Sequence, residues 1–261
     1  MPYRRTITLH LLVDLDAHQF LYTEFAQWQP QDMAIHFYSI ELYMAQVQKF
    51  ASSHYSGSRS YIKLLLPQIL PPSVDKVIML DADMLLAKSV YSLWGLFDQF
   101  NDSQGFGYNA GLILLDLNKL RTLNWRRIWE DVYTELADAL GGILPTAEQD
   151  VLNRIVHLNP KYLFDMPCTW NVQLASFSLA HRCPIVWSFT EEGRQLANAS
   201  GVRETELMHF NAQFKPEFSY PKPWRTPKVV DDGHVLTGIE RARKYFEFYY
   251  LLRDTDISCF R

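Results

Sequence analysis

The sequence predicts a layered α/β fold, a largely parallel sheet with helices on both faces. Three observations predict it. The runs Val77-Ile78-Met79-Leu80 and Leu112-Ile113-Leu114-Leu115 are wholly apolar, as strands buried on both faces of a parallel sheet are. Segments with helical spacing alternate with the strand-like runs, which is the pattern of a helix-covered sheet. Finally, Asp81-Ala82-Asp83 stands directly after the first apolar run, at the carboxyl end of a strand, where open α/β sheets bind ligands.

The elements follow in chain order. Residues 6–13 are β-rich. The preceding Met1-Pro2-Tyr3-Arg4-Arg5 mimics the start of a signal peptide, but the apolar stretch contains Thr8 and His10, and Asp14 occupies the place of a small-residue cleavage site. The stretch therefore reads as a strand. Phe20, Phe25 and Trp28 give 17–28 a helical spacing; 33–38 is a second strand and 40–50 a helix. Tyr61, Leu64, Leu65, Gln68 and Ile69 suggest another helix, ended by Pro71-Pro72. After the two apolar strands, 76–80 and 111–115, residues 127–140 and 148–156 look helical. The Pro- and aromatic-rich stretch 214–227 reads as an irregular loop, and a helix over about 240–253 follows. With no repeat, low-complexity tract or linker, 1–261 reads as a single domain.

Composition narrows the function. The chain is 48% hydrophobic, 21% charged and 14% aromatic, a globular and not a disordered composition. A net charge of -4 argues against a nucleic-acid partner, which favours strongly basic surfaces. No run approaches the roughly 18 apolar residues of a membrane span, so any membrane anchor is expected outside this sequence. Three cysteines are too few for a disulfide scaffold and lack a CxxC spacing. Asn-x-Ser sequons at Asn101 and Asn198 are candidate N-glycosylation sites compatible with a lumenal protein.

Four motifs carry candidate chemistry. Asp81 and Asp83 reach a common point only if the backbone leaves strand geometry between them. Two such charges about 4 Å apart repel by roughly 4 kcal/mol at an effective dielectric of 20, and a divalent cation converts that cost into binding. A solvated turn is the plain alternative. Tyr108-Asn109-Ala110-Gly111 runs into the second apolar strand; its small residues allow close approach of a ligand to the backbone, and Asn109 offers a donor and an acceptor. Glu148-Gln149-Asp150 opens a helix, where acidic residues also serve the helix dipole. His209, in Met208-His209-Phe210-Asn211, stands six residues before Lys215.

In combination, Lys63, the Asp-x-Asp, Asn109-Ala110-Gly111, Gln149-Asp150 and the His209…Lys215 spacing resemble the family-eight retaining glycosyltransferases. His54-Tyr55-Ser56-Gly57, Pro167-Cys168-Thr169-Trp170-Asn171-Val172-Gln173-Leu174 and the His-aromatic-Asn at His209 resemble the LARGE glycosyltransferases more closely. The resemblance implies a GT-A-like (Rossmann-like) nucleotide-sugar-binding sheet. It implies that Asp81, Asp83 and His209 bind Mn²⁺ against the diphosphate of UDP-xylose, and that Lys215 contacts the same diphosphate. Lys63, Asn109, Ala110 and Gly111 would line the donor sugar, and Gln149 and Asp150 would face its anomeric carbon. Cys168 and Cys183 correspond to LARGE-family cysteines able to pair in an oxidising lumen.

The implied reaction is transfer of xylose, with retention, to a glucuronic-acid-terminated glycan on a glycoprotein in the Golgi lumen, in elongation of the O-mannosyl polysaccharide of α-dystroglycan. Against the family pattern, the chain lacks the first strand–helix unit, which holds uridine, and a strand and acceptor-side loop between 100 and 108. The expectation is weak nucleotide binding and no xylose transfer by these residues alone. A catalytically inactive relative acting as a binding module, and a family-eight hexosyltransferase with another UDP-sugar, are the alternatives.

Overall fold

The computed structural model describes residues 6–101, 104, 106–109, 111–174, 180–187, 195, 199, 201–211, 215–217, 234–256 and 259. The strands are β1 (Ile7–Val13), β2 (Met33–Ser39), β3 (Lys76–Leu80), β4 (Met84–Leu86), β5 (Phe106–Asn109), β6 (Leu112–Asp116), β7 (Leu163–Phe164), β8 (Val172–Gln173), β9 (Ile185–Val186), β10 (Arg203–Glu204) and β11 (Leu207–His209). The helices are α1 (Leu15–Trp28), α2 (Glu41–Val47), α3 (Leu66–Ile69), α4 (Val90–Trp94), α5 (Leu117–Thr122), α6 (Trp125–Leu140), α7 (Glu148–Leu158) and α8 (Gly238–Asp254). The sequence reads as one domain; the structure divides into two compact units interleaved along the chain. Unit 1 is Met1–Lys76, Asp116–Tyr162 and Asp256–Arg261, and unit 2 is Val77–Leu115 with Leu163–Thr255.

In unit 1, β1 and β2 pair in parallel from Ile7↔Met33 to Val13↔Ser39. Asp14, which argues against signal cleavage, is the N-cap of α1, its carboxylate accepting from the Ala17 N–H at 2.9 Å. The helix expected near 61–69 is instead a 3₁₀ segment, Gly57–Leu65, followed by the single turn of α3. Pro67 explains the break: it has no N–H to return to the Lys63 carbonyl, so it takes the first turn of a new helix. Behind it, Phe50 packs edge-to-face on Trp129 and Tyr133 with ring centroids 4.9 and 4.7 Å away. The Trp125 indole N–H donates to the Leu64 carbonyl at 2.9 Å, fixing α6 on the 3₁₀ segment.

Unit 2 holds a four-stranded sheet of order β3-β6-β5-β7, a three-stranded sheet β4-β11-β8 and a β10-β9 pair. Two sequence expectations change here. The largest sheet is mixed, because only residues 110 and 111 join β5 to β6, too short for a crossover, and the two strands run antiparallel. The strand β3 is not buried on both faces: it is an edge strand among the described residues, half-buried, with Leu80 39% exposed. By contrast β6 is buried throughout, and Leu112 and Leu114 sit in a core with Leu93, Phe97, Trp170 and Leu207. A second core forms where α8 lays Tyr245, Phe246 and Tyr250 against Val172, Ile185, Met208 and Phe210. A capping box between Thr237 and Glu240 starts that helix. Cys168 and Cys183 are joined, with an S–S distance of 2.10 Å. Of the stretch 214–227, only Lys215 to Glu217 belong to the described residues.

Candidate metal and donor site

The turn at 81–83 carries the chain from the end of β3 to the start of β4, out of one sheet and into another, and this bend brings the two carboxylates together. Its backbone is fixed from both sides. The Asp81 N–H donates to the Gly111 carbonyl at 2.9 Å, and the Phe210 N–H donates to the Asp83 carbonyl at 2.8 Å. Antiparallel pairing of β11 with β4 sets His209 opposite Met84, beside the turn. One ligand atom from each of Asp81, Asp83 and His209 lies within 4.8 Å of the others. His209 is buried, and its Nε2 is 3.3 Å from Asp83 Oδ1.

Lys215 adds a cation: its ammonium donates to Asp83 Oδ2 and to the Phe210 carbonyl, each at 2.5 Å. Burial pushes the Asp83 carboxyl upward, but hydrogen bonds from His209 and Lys215, with their charges, outweigh it and hold the group well below the usual carboxylate range. Gly111, at φ +93°, closes the remaining side. A Cβ there would lie 2.4 Å from His209 Cε1 and 2.7 Å from Met84 Cε, so only glycine leaves the imidazole its place. Two carboxylates and one imidazole fit an oxygen-rich divalent centre that keeps positions open for other ligands. A closed structural zinc site would have four protein ligands, commonly sulfur.

A family model for Glycosyl transferase family 8 matches residues 4–105. The chain is 33% identical over 213 residues to Xylosyl- and glucuronyltransferase LARGE2 of Mus musculus, covering 69% of this chain and 30% of that protein. It is 31% identical over 208 residues to LARGE1 of Homo sapiens, covering 69% of this chain and 27% of that protein. The chain is thus homologous to the LARGE proteins and matches the Glycosyl transferase family 8 model over part of its length. It spans less than a third of these relatives' length. Among solved structures, mouse xyloside xylosyltransferase 1 superposes with a TM-score of 0.58 at 17% identity, over 79% of this chain and 84% of that one. An active-site mutant of LgtC gives 0.52 at 16% identity, over 83% of this chain and 87% of that one. The fold of this LARGE homologue is thus GT-A-like.

The other residues named from the sequence fall in different places. Lys63 donates to Glu148 Oε1 at 2.9 Å, a half-buried ion pair within unit 1. Asp150 closes the turn ahead of α7: its two carboxylate oxygens accept from the Thr146 N–H at 2.7 Å and the Thr146 hydroxyl at 2.5 Å. Gln149 is exposed in the first turn of α7. Asn109 ends β5 opposite Leu112, Ala110 lies outside the described residues, and Asn198 does too. Asn101 is exposed, its side-chain oxygen accepting from the Gln104 N–H at 3.1 Å.

Two contacts are not legible in the sequence, that of Glu148 with Lys63 and that of Asn171 with His209. Glu148 pairs with Lys63 across 85 residues, and nothing along the chain signals that contact. Asn171 Oδ1 stands 2.9 Å from His209 Nδ1 although 38 residues separate them, and no spacing rule reaches that far.

Proposed function

We propose that this domain supplies the metal and donor site of a Mn²⁺-dependent, retaining xylosyltransferase that moves xylose from UDP-xylose to a glucuronic-acid-terminated glycan on a glycoprotein in the Golgi lumen. The observation that carries the reading is the convergence of Asp81, Asp83 and His209, with Lys215 beside them. Bound there, the ion would supply Lewis-acid stabilisation to the leaving diphosphate. The chain's own residues do the rest. Asp81 and Asp83 hold the cation by charge, His209 fills a third position, and Lys215 provides a movable positive group for the phosphate oxygens as the glycosidic bond breaks. For the donor sugar the family resemblance supplies the candidates: Lys63, anchored by Glu148, and Asn109, Ala110 and Gly111. Gln149 stabilises the oxocarbenium-like state, since an amide is a poor nucleophile, while Asp150 shapes the turn that presents it. The chain's similarity to the xylosyl- and glucuronyltransferases LARGE1 and LARGE2 supports the choice of donor. The Cys168–Cys183 bond supports an oxidising compartment.

The test separates binding from turnover. Mn²⁺ with UDP should raise the melting temperature of the wild type and leave Asp83→Asn unmoved; ligand at about 100 times its dissociation constant stabilises by about 2.7 kcal/mol. No shift in the wild type overturns the metal and nucleotide reading. The chain is then assayed with UDP-xylose, UDP-galactose and UDP-glucose plus a glucuronide acceptor, beside a chimera carrying a LARGE first strand–helix unit and acceptor loop. Turnover of a hexose donor alone identifies a hexosyltransferase. Binding without turnover by either protein identifies a binding module.

A further inference from the structure

His209 is held on three sides, and the side opposite the carboxylates has no part in the proposed function. Its Nε2 faces Asp83, at 3.3 Å from Oδ1, and Gly111 abuts the Cε1 edge of the ring. Its Nδ1 stands 2.9 Å from the side-chain oxygen of Asn171, and both residues are buried, 4% and 5% exposed. A neutral imidazole carries one N–H and one lone pair, and an amide oxygen only accepts. With Asn171 in this orientation a hydrogen belongs on Nδ1, neutral or charged, which leaves Nε2 to face Asp83; in the neutral ring its lone pair is what a cation held by Asp81 and Asp83 would meet. The reversed amide would offer an N–H to Nδ1 and force the hydrogen onto Nε2, against a cation.

Asn171 is not free to choose its place. It ends the 3₁₀ turn Cys168–Asn171, one residue before β8, whose parallel pairing with β11 sets Val172 beside Met208 and Gln173 beside His209. The same turn is tied down by the Cys168–Cys183 bond. It is also held by Thr169, whose hydroxyl donates to Glu206 Oε2 at 2.5 Å and whose carbonyl accepts from the Glu206 N–H at 2.9 Å.

We infer that Asn171 is a positioning residue of the metal centre: its side-chain oxygen fixes the Nδ1–H tautomer and the ring orientation of His209, so that Nε2 is the ligating nitrogen. The inference rests on reading His209 as a metal ligand. Partners of ligating histidines typically change metal affinity by 10- to 100-fold when removed.

The first experiment needs no variant. Protein with isotope-labelled histidine is loaded with a spin-active cadmium isotope alone, and NMR reads which imidazole nitrogen of His209 couples to the metal. Coupling at Nε2 with a hydrogen on Nδ1 is expected. Coupling at Nδ1 overturns the inference and leaves the metal reading standing. No coupling at either nitrogen removes His209 from the site and takes the inference with it. The second experiment compares Asn171→Leu, which has no acceptor, with Asn171→Asp, which keeps one, by titration of Mn²⁺ alone, with melting curves to establish that both are folded. The affinity should fall about 10- to 100-fold in Asn171→Leu and stay within about threefold in Asn171→Asp. Wild-type affinity in folded Asn171→Leu, or equal losses in both variants, would show that the oxygen does not set the ligand.

Discussion

Replacing Gly111 by alanine tests the packing of the metal centre with a single methyl group. Two costs follow from the structure. At φ +93° an L-residue is strained, by about 1–2 kcal/mol. The new Cβ would also meet the buried edge of His209 at 2.4 Å and the Met84 methyl at 2.7 Å, and such overpacking adds about 1–3 kcal/mol. The expected loss is therefore about 2–5 kcal/mol. Gly141 supplies the control: at φ +75° it ends α6, and a Cβ there meets nothing within 4 Å, so Gly141→Ala should show the conformational cost alone, about 1–2 kcal/mol. Urea unfolding of the two variants and the wild type reads the difference as a displaced midpoint at unchanged slope. Gly111→Ala should also weaken Mn²⁺ binding, because the imidazole must yield before the backbone does; Gly141→Ala should not. Equal destabilisation by both, with Mn²⁺ binding intact in Gly111→Ala, would refute the claim that glycine is required there for the histidine's sake.

Three further outcomes are expected. Converting Cys168 and Cys183 to serine should cost about 3 kcal/mol, the loop-closure value for a bridge spanning 15 residues, and non-reducing peptide mapping of secreted protein should find the two joined; free thiols would remove the bridge. A double-mutant cycle of Lys63→Met and Glu148→Gln should return a coupling of about 1 kcal/mol, at the top of the range of exposed pairs because the two side chains are only 29% and 13% exposed; strict additivity would show that the pair is not formed. Asp83 has a folded pKa below its unfolded one, so its contribution is present above the ordinary carboxylate range and is lost on acidification. In metal-free protein the stability difference between wild type and Asp83→Asn should accordingly shrink below about pH 5, and a gap that widens there would reverse the assignment.

Much of this protein is determined by the sequence itself, and the reason in each case is local. Helical periodicity marks α1, α6, α7 and α8 to within a few residues; α6, α7 and α8 each bury part of their surface, α1 has no buried residue, and Asp14 and Thr237 sit where caps are needed. The uninterrupted Leu112-Ile113-Leu114-Leu115 announces a strand with no face to solvent. The order of Asp81-x-Asp83, His209 and Lys215 is legible as a pattern, and the resemblance attaches a chemistry to it. Tertiary structure decides what those residues touch. The edge position of β3 depends on which strands pair, and its apolar residues alone suggest the opposite. Pro67 splits a helix that the spacing of Tyr61, Leu64 and Leu65 draws as one. The convergence of Asp81, Asp83 and His209 is long-range: it exists because β11 pairs with β4 on one side and β8 on the other, across separations that no periodicity encodes. The same pairing places Asn171 behind His209, and the backbone bond from Asp81 to the Gly111 carbonyl holds Gly111 in the other sheet beside the turn, so the residues that bind can be read along the chain, whereas those that aim the binding atoms are created by tertiary contacts.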